Sequence, residues 1–536
     1  MVLADYNILT PQQIDELITP PIHQAIGKRE VRRIQQQLQN YAYYNGYQHV
    51  NPETGQLVKA KDLPRPAGLD YDPTRYATNY FKAFIRRKAR WQMGGKHGIS
   101  VPPKQIDDVT ESVKPDYEPS LAQQAENDRA ENYERLLYQL WDENKMREKL
   151  LQAARDRLIA GRVGCKILFN PNTGKLRWVF RPDTEIIPVY SDDDYEELTA
   201  VYFITNKTYT DKYDAEVDLL HVQSFRMLEG ECWLHEALYT QDLELVATIT
   251  KEQPMGIDFL PVVLFEIKEL SGEQTPENSE IDDMKEQTDV LNRMNEDAID
   301  SLKFEMFPIT AFMNVSEGTA EKAQLAPGAA IEARAANEGE QPSIHKVESG
   351  FRWKEAFKDQ YARVKGALHE ITSLPQVVPQ DLNFGGLNAD ALHILFHEII
   401  QETEEHWLAW EPALAELHEK SIRYLQKRAD AISFAYDRDV VKQIGDDYHS
   451  EIKFVLPLPD NRRELVDLLM AETDAGFESI AGAMNRLGVE NTNAKKQEIA
   501  NERTEFRQAG DPYGRYHNEG GGVDSVVLEN EEGLRD

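Results

Sequence analysis

Cysteine is scarce in this sequence, and long apolar runs are missing from it. Cys165 and Cys232 are the two cysteines among 536 residues, and they form no CxxC pair. This usage excludes a disulfide-rich fold and predicts two reduced thiols. No stretch of 18 uncharged apolar residues occurs, and Met1–Tyr6 has no basic region followed by an apolar core. We therefore expect neither a transmembrane span nor a signal peptide.

Positive charge is also in deficit. The chain carries 60 Lys and Arg against 93 Asp and Glu, a formal net charge of −33. Such a surface repels a polyanion, which excludes most proteins that bind nucleic acids by coating their phosphates. Hydrophobic residues at 41% and aromatic residues at 9% are too many for a disordered acidic chain. The length allows about three or four domains.

The motifs of common catalytic centres are missing as well. A phosphate-binding loop needs Gly-Lys followed by Ser or Thr. Gly-Lys occurs at 27–28, 95–96 and 174–175, and neither residue follows it there. The sequence also contains no Gly-x-Ser-x-Gly elbow. We therefore predict no catalytic residue, no cofactor and no enzymatic activity.

One histidine pair leaves a metal site open as an alternative. His393 and His397 lie four residues apart on a predicted helix, so that both imidazoles can reach one ion. The zinc-protease order His-Glu-x-x-His is not present, and no third ligand is indicated. We favour a solvated helix face, and keep a metal-dependent hydrolase that uses His393 and His397 as the alternative.

The hydrophobic pattern predicts a helix-rich α+β fold. Period-two, β-rich segments mark a mainly antiparallel sheet region over 161–268, whereas the period is helical at both ends of the chain. Two helices with one apolar stripe each are predicted at 281–305 and 351–372, with short strands between them. A longer helix is predicted from about 388 to 432, with a bend near Pro412, and a strand at 449–456.

A single strongly basic stretch interrupts the acidic chain. From Pro73 to Ile106 there is no acidic residue, while Lys and Arg supply eight positive charges. This basic island can bind phosphates, pair with the acidic surface of an identical neighbour, or be an ordinary helix with solvated cations. We favour the last two, because neutralisation is the cheapest use of cations in so acidic a protein. The candidate interface residues are Arg86, Arg87, Lys88 and Arg90.

The order of elements resembles the portal proteins, or head-to-tail connectors, of long-tailed bacteriophages over about residues 30–510. No single motif is specific for this family, and the resemblance rests on several motifs that occur in the family's order. They are Tyr43-Tyr44-Asn45-Gly46 after the first helix; Asn79-Tyr80-Phe81-Lys82 with Ile85, Lys88 and Gly94; Gly161 and Gly164 before a strand; Pro182 with Ile187-Pro188-Val189-Tyr190; Asp297 on the helix from Ile281; and Gly386, Ala391 and Leu392 before the long helix. Asn388 and Ala389 stand where the family usually has Ser-Gly.

The resemblance implies a layout of portal domains along the chain. It predicts a wing at 1–280, a first stem helix at 281–305, a clip at 306–349, a second stem helix at 350–372, a tunnel loop at 373–387, a long wing helix and returning strand at 388–456, a crown at 457–510 and a flexible acidic tail at 511–536.

The resemblance also implies a function. We expect a ring, usually of twelve copies, at one capsid vertex, through which double-stranded DNA passes during packaging and ejection. The implied partners are the terminase large subunit, head-completion or neck adaptor proteins, and the major capsid and scaffolding proteins, with no membrane. The implied location is the virion, with assembly in the host cytoplasm. An acidic lumen suits DNA that must slide without sticking.

Polar, uncharged residues of the predicted tunnel loop are candidates to face the DNA. They are Gln376, Gln380 and Asn383. An acidic assembly scaffold through which no DNA passes is a further alternative, and the subunit number of the purified protein would separate a ring from a monomer or dimer.

Overall fold

The computed structural model describes most of the chain between residues 27 and 502. The described residues are 27–66, 72–107, 119–191, 193–194, 196–210, 216–267, 279–306, 309–317, 335–337, 341–347, 353–376, 393–457, 462–489, 492, 495–496 and 498–502.

The described residues include ten α-helices. They are α1 (Lys28–Tyr44), α2 (Tyr80–Met93), α3 (Leu121–Asn144), α4 (Met146–Ala160), α5 (Glu280–Met306), α6 (Trp353–Ile371), α7 (His397–Arg428), α8 (Arg438–Gln443), α9 (Arg462–Asp474) and α10 (Ile480–Arg486). Two short 3₁₀-helices span Ala60–Asp62 and Asp183–Glu185. None of the helices in this part of the chain is long and apolar enough to cross a bilayer.

Every strand within the described residues pairs with its neighbours in the antiparallel sense. The strands are β1 (His49–Val50), β2 (Leu57–Val58), β3 (His97–Ser100), β4 (Arg162–Asn170), β5 (Lys175–Pro182), β6 (Ile186–Tyr190), β7 (Leu198–Thr210), β8 (Glu216–Leu228), β9 (Glu231–Tyr239), β10 (Leu245–Pro254), β11 (Val262–Glu266), β12 (Ile309–Met313), β13 (Ser343–Val347) and β14 (Glu451–Phe454). A five-stranded meander has the order β10-β9-β8-β7-β6, and a three-stranded sheet has the order β11-β4-β5. The pairs β1-β2, β12-β13 and β14-β3 form separate two-stranded sheets.

The central core lies where the three-stranded sheet meets α4 and α7. Trp178 and Trp410 are fully buried, and the rings of Phe265 and Trp410 lie 5.0 Å apart. The Arg157 guanidinium packs 4.8 Å from the Trp410 ring. Aromatic burial of this extent supplies a large part of the apolar area that stabilises a domain. Both cysteines are free and buried, and burial raises the pKa of the Cys232 thiol to about 12.

The periodicity located most elements correctly. The helices predicted at 281–305 and 351–372 are α5 and α6, and the sheet region predicted at 161–268 contains β4 to β11. The predicted long helix is confirmed over α7, which continues through Pro412 and ends at Arg428 rather than near 432. Its predicted start at 388 lies outside the described residues.

The largest error concerns the start of α3. The polar, acidic and proline-containing composition of 105–130 is typical of a loop, yet the helix begins at Leu121. The Ser120 side chain accepts a hydrogen bond from the Gln123 backbone N–H, which caps the first turn. A serine cap stabilises a helix start even where few apolar residues follow it.

A buried histidine makes the stability of the fold sensitive to acid. His418 accepts a hydrogen bond from Trp141 Nε1 at 2.8 Å, and its Nδ1 lies 2.9 Å from Ser450 Oγ. Burial lowers the pKa of His418 to about 3. The unfolded chain takes up a proton near the ordinary value of about 6.5, so this residue's contribution is complete above that pH. It is lost as the pH falls towards the folded pKa.

We predict that His418 lowers the urea-unfolding free energy by about 1.4 kcal/mol for each unit that the pH falls between 6.5 and 4. The difference in unfolding free energy between His418→Gln and wild type should therefore change by this amount per pH unit, while His393→Gln, at an exposed position, should follow the wild-type profile. His97, whose pKa burial lowers to about 4, and the carboxyl groups of Glu134 and Asp156, whose pKa values burial raises to about 7 and about 6, titrate alike in wild type and both variants. Parallel profiles for wild type and His418→Gln would contradict the assignment.

Candidate ring-assembly and channel surfaces

The two long helices α5 and α6 contact each other beside the hairpin that connects them. Ile281, Met284 and Leu291 of α5 are fully buried, as is Leu368 of α6. The antiparallel pair β12-β13 lies between the two helices in sequence. An amphipathic helix of this kind buries its apolar stripe and leaves its charged face to solvent or to another subunit.

A row of aromatic rings extends along α6. The rings of Trp353 and Phe357 are 5.7 Å apart, and those of Phe357 and Tyr361 are 5.8 Å apart. The Tyr361 hydroxyl lies 3.1 Å from the Tyr80 hydroxyl, at the start of α2. The second long helix is thereby joined to the helix that carries the basic island.

A row of hydrogen bonds joins α5 to the extended segment that precedes α2. Three polar side chains spaced four residues apart on α5 accept from three backbone N–H groups spaced two residues apart. The pairs are Asn292 with Thr78 at 2.9 Å, Glu296 with Tyr76 at 2.9 Å, and Asp300 with Thr74 at 3.0 Å. Four helical residues advance about 6 Å and two extended residues about 6.6 Å, so the two repeats match.

The basic island lies on α2. The Asn79 side chain accepts from the Lys82 backbone N–H and caps the first turn. The apolar face of the helix is buried through Phe81, Phe84 and Ile85. Arg86, Arg87 and Arg90 lie on the exposed side. Aromatic residues between cations therefore fill the core here, as the ordinary-helix interpretation expects.

Lys88 differs from the three arginines because it lies inside the subunit. Its side chain is 3% exposed, and Nζ lies 2.5 Å from Glu280 Oε2 and 2.7 Å from Glu402 Oε1. Burial alone would lower the pKa of Lys88, but the two carboxylates more than offset that effect and raise the pKa above its ordinary value. The ammonium thus joins α2, α5 and α7. This position corrects the inclusion of Lys88 among exposed interface residues.

The same cluster contains the group of side chains that comes closest to forming a metal site. Glu280, Glu402 and His406 have donor atoms within 4.8 Å of one another, a group that could hold an ion. Lys88 Nζ lies between both carboxylates, so the positive charge at this point is already supplied by the protein. His397 is the first residue of α7, His393 lies four residues before it, and both are exposed. In the part of the chain that the structure describes, they belong to no such group.

The predicted tunnel-loop residues are only partly described. Gln376 is exposed just after α6. Gln380 and Asn383 lie outside the described residues, as does most of the predicted loop.

Two long helices flank a small hairpin in this helix-rich α+β chain. This is the arrangement expected of a structural subunit of a phage particle, and the sequence family agrees with it. The family model for phage portal protein, SPP1 Gp6-like, matches residues 23–508, and the chain belongs to this family. The predicted resemblance is therefore confirmed. The protein is a portal subunit that forms a ring at the capsid vertex of a virion. The family is structural, not enzymatic.

Two solved structures are also similar to this chain. One is the neck of an empty GTA particle computed with C6 symmetry, at 12% identity and a TM-score of 0.32, covering 76% of this chain and 89% of that chain. The other is the virion of a native gene transfer agent (GTA) particle, at 13% identity and a TM-score of 0.27, covering 64% and 80%. No curated protein shows significant similarity to the sequence.

The buried lysine provides a direct test of the cluster. Lys88→Met leaves Glu280 and Glu402 without their cation, and removing one partner of a buried ion pair costs about 3–5 kcal/mol. We predict a loss of this size in the free energy of unfolding, measured in urea at a fixed protein concentration. Arg86→Met, on the exposed side of α2, should change stability by less than about 0.5 kcal/mol. Equal losses for both variants would contradict the role of Lys88.

Proposed function

We propose that the ring is the conduit for double-stranded DNA during packaging and ejection. We further propose that it docks the terminase large subunit first and neck adaptor proteins later. The observation that supports this most is family membership over 23–508, together with the α5–hairpin–α6 order in the matched region. Twelve copies, contacts with major capsid and scaffolding proteins, and a stage in the host cytoplasm belong to the same proposal.

We assign the described elements to portal domains on this basis. The sheets and helices up to β11 form the wing, α5 and α6 form the stem, and the β12-β13 hairpin belongs to the clip. The segment from Ser373 begins the tunnel loop, α7 and β14 return to the wing, and α9 and α10 belong to the crown. Energy for DNA movement comes from the terminase, because the sequence lacks a phosphate-binding loop.

The charge of the chain supports transport without adhesion. The net charge of −33 per subunit repeats in every copy of the ring. A duplex close to such a surface is repelled, which prevents the tight phosphate contacts that would stop it from sliding. The exposed arginines of α2 are then available to pair with acidic groups of the neighbouring subunit.

Gln376 offers a test of the channel. We predict that a photoreactive amino acid at position 376 crosslinks to DNA in filled particles, because the proposed tunnel loop begins there. The same amino acid at Leu245, exposed on β10 of the proposed wing, is the matched control and should give no DNA adduct. Equal DNA labelling at both positions, or labelling at Leu245 alone, would count against the assignment of the tunnel loop. No DNA adduct at either position would favour a scaffold through which no DNA passes.

The arginines of α2 offer a test of the subunit interface. We predict that Arg86→Glu combined with Arg90→Glu shifts half-assembly of the ring to about tenfold higher protein concentration, as measured by native mass spectrometry. Short-duplex binding should change less. Lys207→Glu combined with Lys251→Glu changes the net charge equally at exposed sheet positions and should leave assembly unaffected. Unchanged oligomerisation of the arginine variant would refute an interface role for these two residues.

A further inference from the structure

A cavity of about 470 Å³ lies at the end of α6, where the predicted tunnel loop begins. Its walls come from α2, from the last turns of α6, from the segment 374–376 and from Phe396 just before α7. Trp91 and Phe396, whose rings are 5.2 Å apart, form part of the apolar lining. The cavity is thus built from three separate stretches of chain.

The charges that line this cavity all have one sign. Arg87, Lys365 and His369 contribute basic groups, and among the described residues no Asp or Glu lines the cavity. Neither Arg87 nor Lys365 has a carboxylate partner within the described part of the chain. The contrast with Lys88 is instructive, because that neighbouring cation is matched by two glutamates. The chain has 93 acidic residues against 60 basic ones. A cavity whose basic groups have no carboxylate partner among the described residues is therefore unexpected and calls for a ligand.

His369 reports the electrostatic environment in the cavity. Its Nδ1 lies 3.0 Å from the Leu374 carbonyl oxygen, so the neutral ring donates through Nδ1 and takes up a further proton at Nε2. Burial lowers the pKa of His369, and the positive charges of Lys365 and Arg87 lower it further. These two cations, one on its own helix and one on α2, are the charged groups that act on it. An anion between them would reverse that effect.

This arrangement fits a small anionic group. The recessed position of the basic groups and the presence of an identical neighbour in the ring indicate which molecule supplies that group. Lys365 and His369 are half-buried within the cavity. A rigid duplex presents its phosphates on a convex surface and meets projecting side chains more readily than recessed ones. A carboxylate on a flexible side chain can enter. Each subunit of a ring has identical, strongly acidic neighbours held at fixed distance, so the charge complementarity favours a second copy.

We propose that this cavity binds an Asp or Glu side chain of the neighbouring subunit, held by Arg87, Lys365 and His369. The inference rests on the proposed ring and names the partner group at one of its interfaces. It also places a subunit contact next to the segment from which the tunnel loop begins.

Carbodiimide crosslinking of assembled rings tests the contact directly. The reagent joins a carboxylate to a lysine amine in contact with it, and rings mixed from unlabelled and ¹⁵N-labelled subunits identify links between chains by mass spectrometry. We expect an inter-chain amide at Lys365 that disappears in Lys365→Arg, while the ring persists because the charge is kept. A ring in which Lys365 links only within its own chain, or not at all, overturns this inference alone. A wild-type chain that forms no ring overturns the proposed function and this inference together.

Charge reversal provides a second, independent measurement. Lys365→Glu should raise the concentration for half-assembly about tenfold. Arg363→Glu, exposed on the same helix outside the cavity, should have little effect. Equal effects of both variants would mean that net charge alone matters, and would overturn the specific contact. Loss of short-duplex binding in Lys365→Glu with assembly unchanged would assign the cavity to DNA phosphates instead.

The histidine adds a readout that a merely structural role would not change. Assembly should strengthen from pH 8 to pH 6 as the bound carboxylate favours protonated His369, and His369→Asn should lose this component of the pH dependence. Identical pH profiles for the two proteins would remove His369 from the site.

Discussion

The ammonium group of Lys88 holds three helices together at the point where the first long helix begins. Its partners Glu280 and Glu402 lie on α5 and α7, so that one charge fixes the start of α5 against both α2 and α7. Ser279 completes the junction, because its hydroxyl donates to the Ile159 carbonyl oxygen and accepts from the Ile281 backbone N–H. The exposed arginines and the basic cavity both depend on the position of α2 that this junction sets.

Neighbouring cations on one helix therefore have different roles. Lys88 is neutralised within the subunit, Arg87 lines a cavity in which no described residue is acidic, and Arg86 and Arg90 are exposed. The net charge of −33 does not predict these different roles, because each role depends on the direction in which the side chain leaves the helix. In the proposed ring the acidic excess makes the surface repulsive to DNA. The cations that have no carboxylate partner among the described residues are the proposed sites of contact between acidic subunits.

Periodicity located most of the helices and strands but not the contacts between them. The apolar stripe of α5 and the alternation in β7 to β10 are local patterns, and both were predicted from residue spacing. The burial of Lys88 depends on carboxylates 192 and 314 positions further along the chain, which no local pattern reveals. Two of the three predicted DNA-facing residues, Gln380 and Asn383, lie outside the described residues and stay predictions.

The matched spacing of α5 and the extended segment 72–79 has a mechanical consequence. Three hydrogen bonds join the two elements, and their spacing along α5 is nearly equal to their spacing along the extended segment. The acceptors are Asn292, Glu296 and Asp300. A force along the axis of α5 is therefore shared by all three bonds at once, instead of opening them one after another. Bonds loaded side by side resist shear better than bonds loaded in sequence. Because segment 72–79 leads directly into α2, this attachment ties α5 to the helix that carries the basic island.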